Sequence, residues 1–362
     1  MARALALARR GMYTTTPNPR VGCVIVKNHE VVGEGYHVSA GSAHAEVVAL
    51  QKAGARSQGA TVYVTLEPCA HHGRTPPCTE ALVQARVAKV IAAMADPNPL
   101  VSGKGMAFLR EADIEVLTGL MEAEARTLNA GFILRMTAQR PLVRLKIAAS
   151  LDGRTALQNG VSQWITGEAA RRDAHHWRAR SCAVLTGINT VLSDDPQLTV
   201  RAIDTPRQPW RVVLDSGLRM PLTAKLLNQD KVLILTAQSQ SQAAPEREES
   251  LAERGVEIAR VPASATKLDL ARVLEELARR GMNEVLVEAG ASLNGAFLDA
   301  NLVDEVVIFM APCVLGNEAR AMFNLPSLHE MTQRRNLEFF DVRQIGCDLR
   351  LILRPKNVYR AD

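Results

Sequence analysis

The stretch from His44 to Cys78 opens with His44-Ala45-Glu46 and closes with Pro68-Cys69-Ala70-His71-His72-Gly73-Arg74-Thr75-Pro76-Pro77-Cys78. One histidine and two cysteines are borderline and soft ligands, a set that suits Zn²⁺ with a fourth position left for water. Glu46 lies two residues from His44, close enough to act on that water without binding the metal. The stretch therefore predicts one catalytic zinc per chain, with His44, Cys69 and Cys78 as its ligands.

The spacing of the two cysteines narrows the class of zinc site. H-x-E followed by P-C-x-x-C marks the zinc enzymes that deaminate bases; here the second cysteine stands nine residues after the first instead of three. The alternatives are a structural zinc site or unrelated His and Cys residues. Structural sites usually have four ligands at paired short spacings, and Glu46 would then have no role. His71 and His72 stay open as spare ligands, substrate contacts or plain loop residues.

Helical and strand periodicity around this stretch predicts an α/β layer. The predicted elements are an opening helix, a hairpin of strands 21–27 and 30–36, a helix opened by His44 and ended by Gly54, a strand over 60–66, a helix after Cys78, a strand over 89–94 and a helix over 118–139. His44 and Cys78 then lie at helix N-termini, whose partial positive charge favours the thiolate that zinc binds. Glu46 is placed to carry a proton from the water to a leaving amine.

The loop 14–20 before the hairpin is rigid and polar. Pro17 and Pro19 fix the backbone on either side of Asn18. Asn18 is therefore either a residue that only forms the turn or a hydrogen-bonding group held in place.

Length and composition limit the classes of protein to which the chain could belong. At 362 residues the chain is long for one hydrophobic core, which predicts two domains. A net charge of +5 is too mild to indicate nucleic acid by itself and equally suits phosphorylated substrates. Six cysteines without small-scaffold spacing argue against disulfides. The longest apolar run, 306–315, is far short of the roughly 20 residues of a membrane span.

These bounds predict a protein of the reducing cytoplasm that acts on a small molecule, with no nucleic-acid and no membrane partner. The basic first ten residues repeat apolar side chains at helical spacing, so they are interpreted as a first helix rather than a targeting segment. The sequence leaves the oligomeric state open, and a homo-oligomer is compatible with it.

Arg140-Pro141 interrupts the helix that closes the first half, which places the domain boundary between residues 1–140 and 141–362. Beyond it, apolar runs at 142–149, 183–186, 211–214, 231–235, 284–287 and 305–310 predict a buried sheet. Thr166 is expected to cap a helix over 167–180, and loops are expected over 187–196 and 238–250. Glu288-Ala-Gly290-Ala-Ser-Leu-Asn-Gly295 is a glycine-rich turn between strand and helix. Such a turn suits a phosphate, although short glycine turns more often serve packing.

Several motifs extend along nearly the whole chain: Thr16-Pro-Asn-Pro19 with Val21-Gly22, His44-Ala-Glu46, the run from Glu67 to Cys78, Lys146 to Thr155, Ser162-Gln-Trp-Ile-Thr166, Asp194 to Arg201 and Val287-Glu-Ala-Gly290. Together they resemble the bifunctional riboflavin biosynthesis deaminase/reductase family. The nine-residue step between cysteines is specific to this branch of the deaminases. Family members usually carry a short segment before the opening helix, which begins here at the first residue.

The resemblance implies a cytidine deaminase-like three-layer α/β/α domain followed by a dihydrofolate reductase-like α/β domain. The first would remove the ring amino group of 2,5-diamino-6-(5-phosphoribosylamino)pyrimidin-4(3H)-one. The second would use NADPH to reduce the ribosyl side chain to ribityl. Zinc and NADPH are thus the implied cofactors.

The resemblance also implies residue roles. His44, Cys69 and Cys78 would bind zinc, and Glu46 would be the proton shuttle. NADPH would face Ala148, Trp164, Thr190, Asp194, Ser216 and the turn Gly290, Ala291, Ser292, Leu293, Asn294, Gly295 and Ala296. Substrate would face Ser162, Arg178, Leu198, Arg201 and Glu288, where two arginines suit a phosphate monoester. Lys146 is either a group that polarises the ring-opened sugar or an ordinary ion-pair partner.

Two other hypotheses were weighed against this one. A nucleoside or tRNA-base deaminase fused to an unrelated reductase would be expected to carry aromatic stacking groups, yet aromatic residues make up only 4% of the chain. A non-catalytic zinc-stabilised binding protein would leave Glu46 unexplained.

Overall fold

Residues 1–70, 76–99, 101–238, 245–264 and 267–356 are described by a computed structural model. In it the chain forms two units, Met1–Arg140 and Pro141–Asp362. No helix among the described residues is both long and apolar enough to cross a bilayer.

The first unit alternates strands and helices, as the sequence predicts. Its strands are β1 (Gly22–Lys27), β2 (Glu30–Tyr36), β3 (Thr61–Val64), β4 (Lys89–Ala92) and β5 (Glu115–Thr118). Its helices are α1 (Ala2–Arg9), α2 (Ala45–Ala53), α3 (Cys78–Gln84), α4 (Lys104–Glu111), α5 (Glu122–Leu128) and α6 (Ala130–Ala138), with a 3₁₀ turn at Gly54–Ser57.

These strands form one sheet in the order β2-β1-β3-β4-β5, antiparallel up to β3 and parallel from β3 to β5. Alternate residues of β1 serve opposite faces, as the strand period requires. Cys23 and Ile25 pack in one cluster with the alanines of α2, whereas Val24 packs with Ala4 and Leu7 of α1. The sheet thus lies between helical layers, which confirms the predicted three-layer arrangement.

The prediction of one continuous helix over 118–139 is wrong, because the chain forms two helices there that meet at Asn129. The Asn129 side chain accepts from the Arg20 backbone N–H at 2.8 Å and donates to the Arg20 carbonyl at 2.9 Å. This buried pairing ties the helix junction to the loop before β1. Neither β5 nor α4 was predicted.

The second unit is larger and also mixes strands and helices. Its strands are β6 (Leu142–Ser150), β7 (Arg154–Ala156), β8 (Ala183–Gly187), β9 (Trp210–Leu214), β10 (Val232–Ala237), β11 (Val256–Val261), β12 (Ala263–Ser264), β13 (Lys267–Leu268), β14 (Glu284–Val287), β15 (Glu305–Ala311), β16 (Arg320–Ala321), β17 (Leu337–Ile345) and β18 (Asp348–Pro355). Its helices are α7 (Glu168–Arg180), α8 (Ile188–Asp194), α9 (Pro245–Ala252), α10 (Leu270–Arg279) and α11 (Ala291–Asp299), with 3₁₀ turns at Lys225–Asn228 and Met331–Gln333.

Nine of these strands form one sheet in the order β11-β10-β9-β8-β14-β6-β15-β18-β17. It is parallel from β11 to β15, and the β17–β18 hairpin adds two antiparallel strands at the edge. The six apolar runs predicted as buried strands all lie in this sheet. The predicted α/β class is confirmed in both units.

Three local predictions for this unit need correction. The polar loop expected over 187–196 contains helix α8, whose Ile188 and Val191 are buried in a small apolar cluster. Gly167, not Thr166, is the residue that precedes α7. Of the loop expected over 238–250, residues 239–244 lie outside the described part of the chain, and α9 begins at Pro245.

The amino ends of β6, β14 and β15 carry a buried ion network. Arg144 contacts the carboxylates of both Glu284 and Glu305, and Arg354 reaches Glu305 at 2.7 Å. Buried charges are stable when each is paired in this way. The network lies at the edge of the sheet opposite to the carboxyl ends of these strands.

Candidate active sites

The three predicted zinc ligands come together in the first unit. His44 immediately precedes α2, Cys78 is the first residue of α3, and Cys69 lies on the chain that leaves β3. Their ligand atoms lie within 4.8 Å of one another. His44 Nδ1 is 3.2 Å from Cys78 Sγ and 3.6 Å from Cys69 Sγ.

These distances fit a zinc ion. Tetrahedral zinc with ordinary Zn–S and Zn–N bonds holds its sulfur and nitrogen ligands roughly 3.6 Å apart. The three donors therefore need little movement to close on a metal. His71 and His72 lie outside the described residues.

The electrostatics of the two cysteines favour metal binding as well. A hydrogen bond from Cys78 lowers the pKa of Cys69 to about 4, with His44 acting in the same direction. The pKa of Cys78 is raised by the same bond, because the pair shares one thiol proton. The Cys78 backbone N–H also donates to Cys69 Sγ at 3.4 Å. A thiolate is thus already favoured at neutral pH, and thiolates are what zinc binds.

Glu46 is buried in the first turn of α2, beside this cluster. Burial, and then the charge of Cys69, raises its pKa to about 7. A carboxyl group with such a pKa can both take up and release a proton near neutral pH, which is what a proton shuttle needs.

Glu67 fixes the chain that carries Cys69. Its buried carboxylate accepts four backbone N–H groups, from Asp96, Gly103, Gly105 and Met106, at 3.0 to 3.2 Å. The last two open α4, where a carboxylate satisfies otherwise unpaired donors. The backbone of α4 also approaches so closely that a Cβ on Gly105 would lie 1.9 Å from the Pro68 carbonyl oxygen.

In the second unit, predicted site residues gather at the carboxyl ends of adjacent parallel strands. Ala148 lies near the end of β6, Glu288 directly follows β14, Thr190 and Asp194 lie on α8 after β8, and Ser216 follows β9. In open α/β sheets ligands bind in the crevice outside these strand ends. Ser162 and Trp164 lie on the loop between β7 and α7, where the Arg171 guanidinium stacks 4.5 Å from the Trp164 ring.

The charged residues among those predicted to face substrate form a cluster with Lys146 at this edge. Arg178 holds Glu288 with two bonds of 2.6 and 2.9 Å, and Lys146 Nζ lies 3.8 Å from the same carboxylate. Burial by itself would raise the pKa of Glu288, but Arg178 and Lys146 outweigh it and hold that pKa at about 2. Glu288 is therefore ionised, and with the exposed Arg201 the cluster carries three cations against one carboxylate.

The predicted cofactor turn, Gly290 to Ala296, runs into α11. Gly290 precedes the helix, and a Cβ there would meet nothing within 4 Å. Asn294 is buried and donates to the carbonyls of Ala289 and Met322, yet its Oδ1 has no partner among the described residues. A helix N-terminus with open space before it fits the phosphates of a cofactor. The Asn294 oxygen, as an acceptor, suits a hydroxyl or amide donor of the same cofactor.

Comparison with known proteins decides the family. The model of the cytidine and deoxycytidylate deaminase zinc-binding region matches residues 1–94. The RibD C-terminal domain model matches residues 141–351. The riboflavin biosynthesis protein RibD of Escherichia coli strain K12 is 47% identical over 366 residues, 98% of each chain. The chain belongs to the RibD family of riboflavin biosynthesis proteins.

Solved structures agree along the whole chain. Acinetobacter baumannii RibD, form 2, is 49% identical and superposes with a TM-score of 0.89, covering 98% of this chain and 97% of that one. A diaminohydroxyphosphoribosylaminopyrimidine deaminase/5-amino-6-(5-phosphoribosylamino)uracil reductase from Thermotoga maritima is 35% identical, with a TM-score of 0.86 and the same coverage.

These matches confirm the predicted family, fold and function. The protein is a bifunctional enzyme of riboflavin biosynthesis that joins a zinc-dependent deaminase to a reductase. Zinc and NADPH are the cofactors of this enzyme class, as the sequence analysis expected.

The sequence analysis did not single out His37 as a residue beside the zinc donors. Its ring lies 5.4 Å from that of His44, edge to face. Nδ1 donates to the Ala43 carbonyl at 3.2 Å, which leaves Nε2 to accept from Asn18 Nδ2 at 3.0 Å. Asn18 is therefore a hydrogen-bonding group held in place, rather than only a turn residue. A single histidine after a strand carries no sequence pattern that would indicate a site. The prolines on either side of Asn18, in contrast, indicated that its side chain is held in place.

Proposed function

We propose that each unit carries one of two consecutive reactions. Residues 1–140 deaminate 2,5-diamino-6-(5-phosphoribosylamino)pyrimidin-4(3H)-one. Residues 141–362 then reduce the ribosyl side chain of the product with NADPH, giving 5-amino-6-(5-phosphoribitylamino)uracil. The division of the chain into Met1–Arg140 and Pro141–Asp362 supports this assignment, as do the two family models that match on either side of it.

In the deaminase, His44, Cys69 and Cys78 hold zinc, one ion per chain. Zinc supplies a Lewis acid that makes water nucleophilic at neutral pH. Glu46 takes the proton from the attacking water and delivers it to the ring amino group, which leaves as ammonia when the C–N bond breaks. Its buried place beside the three zinc donors supports both halves of this transfer.

In the reductase, the cluster of Lys146, Arg178, Arg201 and Glu288 receives the phosphorylated substrate. Its excess of two positive charges suits a phosphate monoester, which is close to a dianion at neutral pH. Arg201 is the exposed guanidinium, free to turn toward a phosphate. Lys146 polarises the ring-opened sugar, while Ser162 and Leu198 contact the rest of the substrate.

NADPH supplies the hydride, and the turn from Gly290 to Ala296 binds its phosphates. Asn294 Oδ1 accepts there from a hydroxyl or amide group of the cofactor, since the phosphate oxygens themselves are acceptors. The remaining cofactor contacts are Ala148, Trp164, Thr190, Asp194 and Ser216, four of which lie at the carboxyl edge of the sheet.

The observation that carries the deaminase assignment is the buried Glu46 carboxyl beside three converging zinc donors. Incubation with the diaminopyrimidine phosphate, with and without NADPH, followed by product mass tests the whole sequence of reactions. Without NADPH the product should have exchanged one amino group for oxygen. With NADPH it should also gain two hydrogens. An unchanged mass under both conditions would contradict the proposal.

We further propose that both reactions take place in the cytoplasm.

A further inference from the structure

The segment Leu198–Arg201, which carries two of the proposed substrate contacts, belongs to no helix or strand. Leu198 is buried and has a φ of 54°, a left-handed conformation that costs a branched residue free energy. Such a conformation persists only where neighbouring groups hold the chain. The side chains that hold this segment are therefore candidates for a role in substrate binding.

Side chains, rather than a neighbouring strand, satisfy the backbone of three consecutive residues here. Arg178 Nη1 donates to the Thr199 carbonyl at 2.9 Å. The Gln208 side chain brackets Val200, accepting from its N–H at 2.8 Å and donating to its carbonyl at 2.9 Å. The Arg201 N–H donates to His175 Nδ1 at 3.3 Å.

His175 is the anchor that binds the Arg201 backbone itself. It is buried on α7, one helical turn before Arg178. The charged groups that face it are Arg178, Arg201, Lys146 and Glu288. Burial, followed by Arg178 and Arg201, lowers the pKa of His175 to about 4. The imidazole is therefore neutral at physiological pH, and the Nδ1 lone pair is available to accept.

We propose that His175 is a positioning residue of the reductase, which holds the backbone of Arg201 so that its guanidinium meets the substrate phosphate. The inference rests on the reductase function proposed above. His175 acts through the Arg201 backbone, whose N–H it holds. Gln208 supports the same segment one residue earlier.

Loss of this anchor should weaken substrate binding more than turnover. One hydrogen bond of this kind contributes about 1 to 1.5 kcal/mol. The expected rise in KM for the phosphorylated substrate is therefore roughly 5- to 10-fold. The kcat should change by less than about 3-fold, because the groups around the reacting carbon stay in place.

A matched set of variants in the full-length enzyme tests the proposal. His175→Leu removes the acceptor, whereas His175→Asn places an amide oxygen where Nδ1 was. His176→Leu is the control, since His176 is the next residue on α7 and is exposed. NADPH affinity, measured by quenching of protein fluorescence, reports whether the reductase unit of each variant is folded.

Two measurements are made on each variant: KM and kcat for reduction of the deaminated substrate, and amide hydrogen exchange over residues 198–201. We expect a raised KM and faster exchange in His175→Leu, and values near those of the wild type in His175→Asn and His176→Leu. Equal KM in all variants would overturn the proposal, and so would unchanged exchange in His175→Leu. If His175→Leu does not bind NADPH, His175→Ala takes its place, because it removes the acceptor without adding bulk. An unchanged KM and unchanged exchange in His175→Ala would then overturn the proposal.

Failure of the proposed function gives a different result. A wild-type enzyme that binds NADPH but does not reduce the substrate would contradict the reductase assignment. Hydrogen exchange would then still report on the anchor, since that measurement needs no turnover.

Discussion

Glu46 is where the deaminase chemistry can be tested with the smallest change. Glu46→Gln keeps the size of the side chain and leaves the three zinc donors intact, but it cannot carry a proton. We expect zinc content to stay at one equivalent while deamination falls by roughly 10² to 10⁴, the usual contribution of a positioned acid–base group. Reduction of the deaminated intermediate should continue.

The exposed Glu111 at the end of α4 gives the matched control, and Glu111→Gln should deaminate as wild type does. Full deaminase activity in Glu46→Gln would mean that another group carries the proton.

Cys69 and Cys78 test the metal assignment. Cys69→Ser and Cys78→Ser each replace a thiolate by a hydroxyl that stays protonated, so both should lose zinc and deaminase activity. Cys347→Ser, at an exposed cysteine of the other unit, should retain one zinc per chain. Metal analysis by mass spectrometry checks this result, and two equivalents of zinc in the wild type would contradict a single site.

Arg201 tests where the phosphate binds. A charge-assisted hydrogen bond contributes about 1.5–3 kcal/mol, so Arg201→Ala should raise KM for the phosphorylated substrate roughly 10- to 100-fold. The dephosphorylated analogue should be almost unaffected. Arg254→Ala, at an exposed arginine after α9, serves as the control. Equal effects of Arg201→Ala on both substrates would remove this residue from the phosphate site.

At the level of elements, α4 and the strand end that it packs against hold Cys69 in place. Gly105→Ala should disturb this contact, because the added Cβ would lie 1.9 Å from the Pro68 carbonyl oxygen. Overpacking of this kind costs about 1–3 kcal/mol. We expect a lower melting temperature and a weaker zinc affinity, measured by calorimetry and by competition with a chelator.

Gly217→Ala is the matched control, since its Cβ would find nothing closer than 3.7 Å. If Gly105→Ala lowers stability but leaves zinc affinity unchanged, α4 supports the fold without positioning Cys69.

The elements that sequence reasoning recovered are those with a strong local signal. Continuous apolar runs gave the central strands of both sheets, and the zinc motif gave the starts of α2 and α3. The split at Asn129 was missed because its cause is a bond to Arg20, more than one hundred residues away. Helix α8 was missed because its polar residues resemble a loop, and the buried Ile188 and Val191 that stabilise it pack on distant partners.

The same reason explains what was missed at the sites. His44, Cys69 and Cys78 form a motif, whereas His37, His175 and Gln208 act through contacts that depend on the folded chain. The resemblance to a family supplied the reductase residues, since Arg178 or Glu288 by itself looks like an ordinary surface charge. The structure adds that these two residues bind each other.

At the level of the whole molecule, the two units have separate cores and should function separately. The apolar clusters of the first unit and those of the second share no residue. A fragment of residues 142–362 should therefore fold and reduce the deaminated substrate with NADPH in the presence of a zinc chelator. The first unit by itself should deaminate without consuming NADPH. An insoluble second fragment, or one that needs zinc, would contradict this division.

The pairing of Arg178 with Glu288 also has a consequence for the design of inhibitors. Three of the donor nitrogens of Arg178 are already engaged by Glu288 and by the Thr199 carbonyl. A phosphonate or carboxylate compound aimed at Arg178 would find only two of its five N–H groups unused, with the negative charge of Glu288 beside them. The same acidic group directed to Arg201 meets an exposed guanidinium, so compound series against this pocket should be extended in that direction.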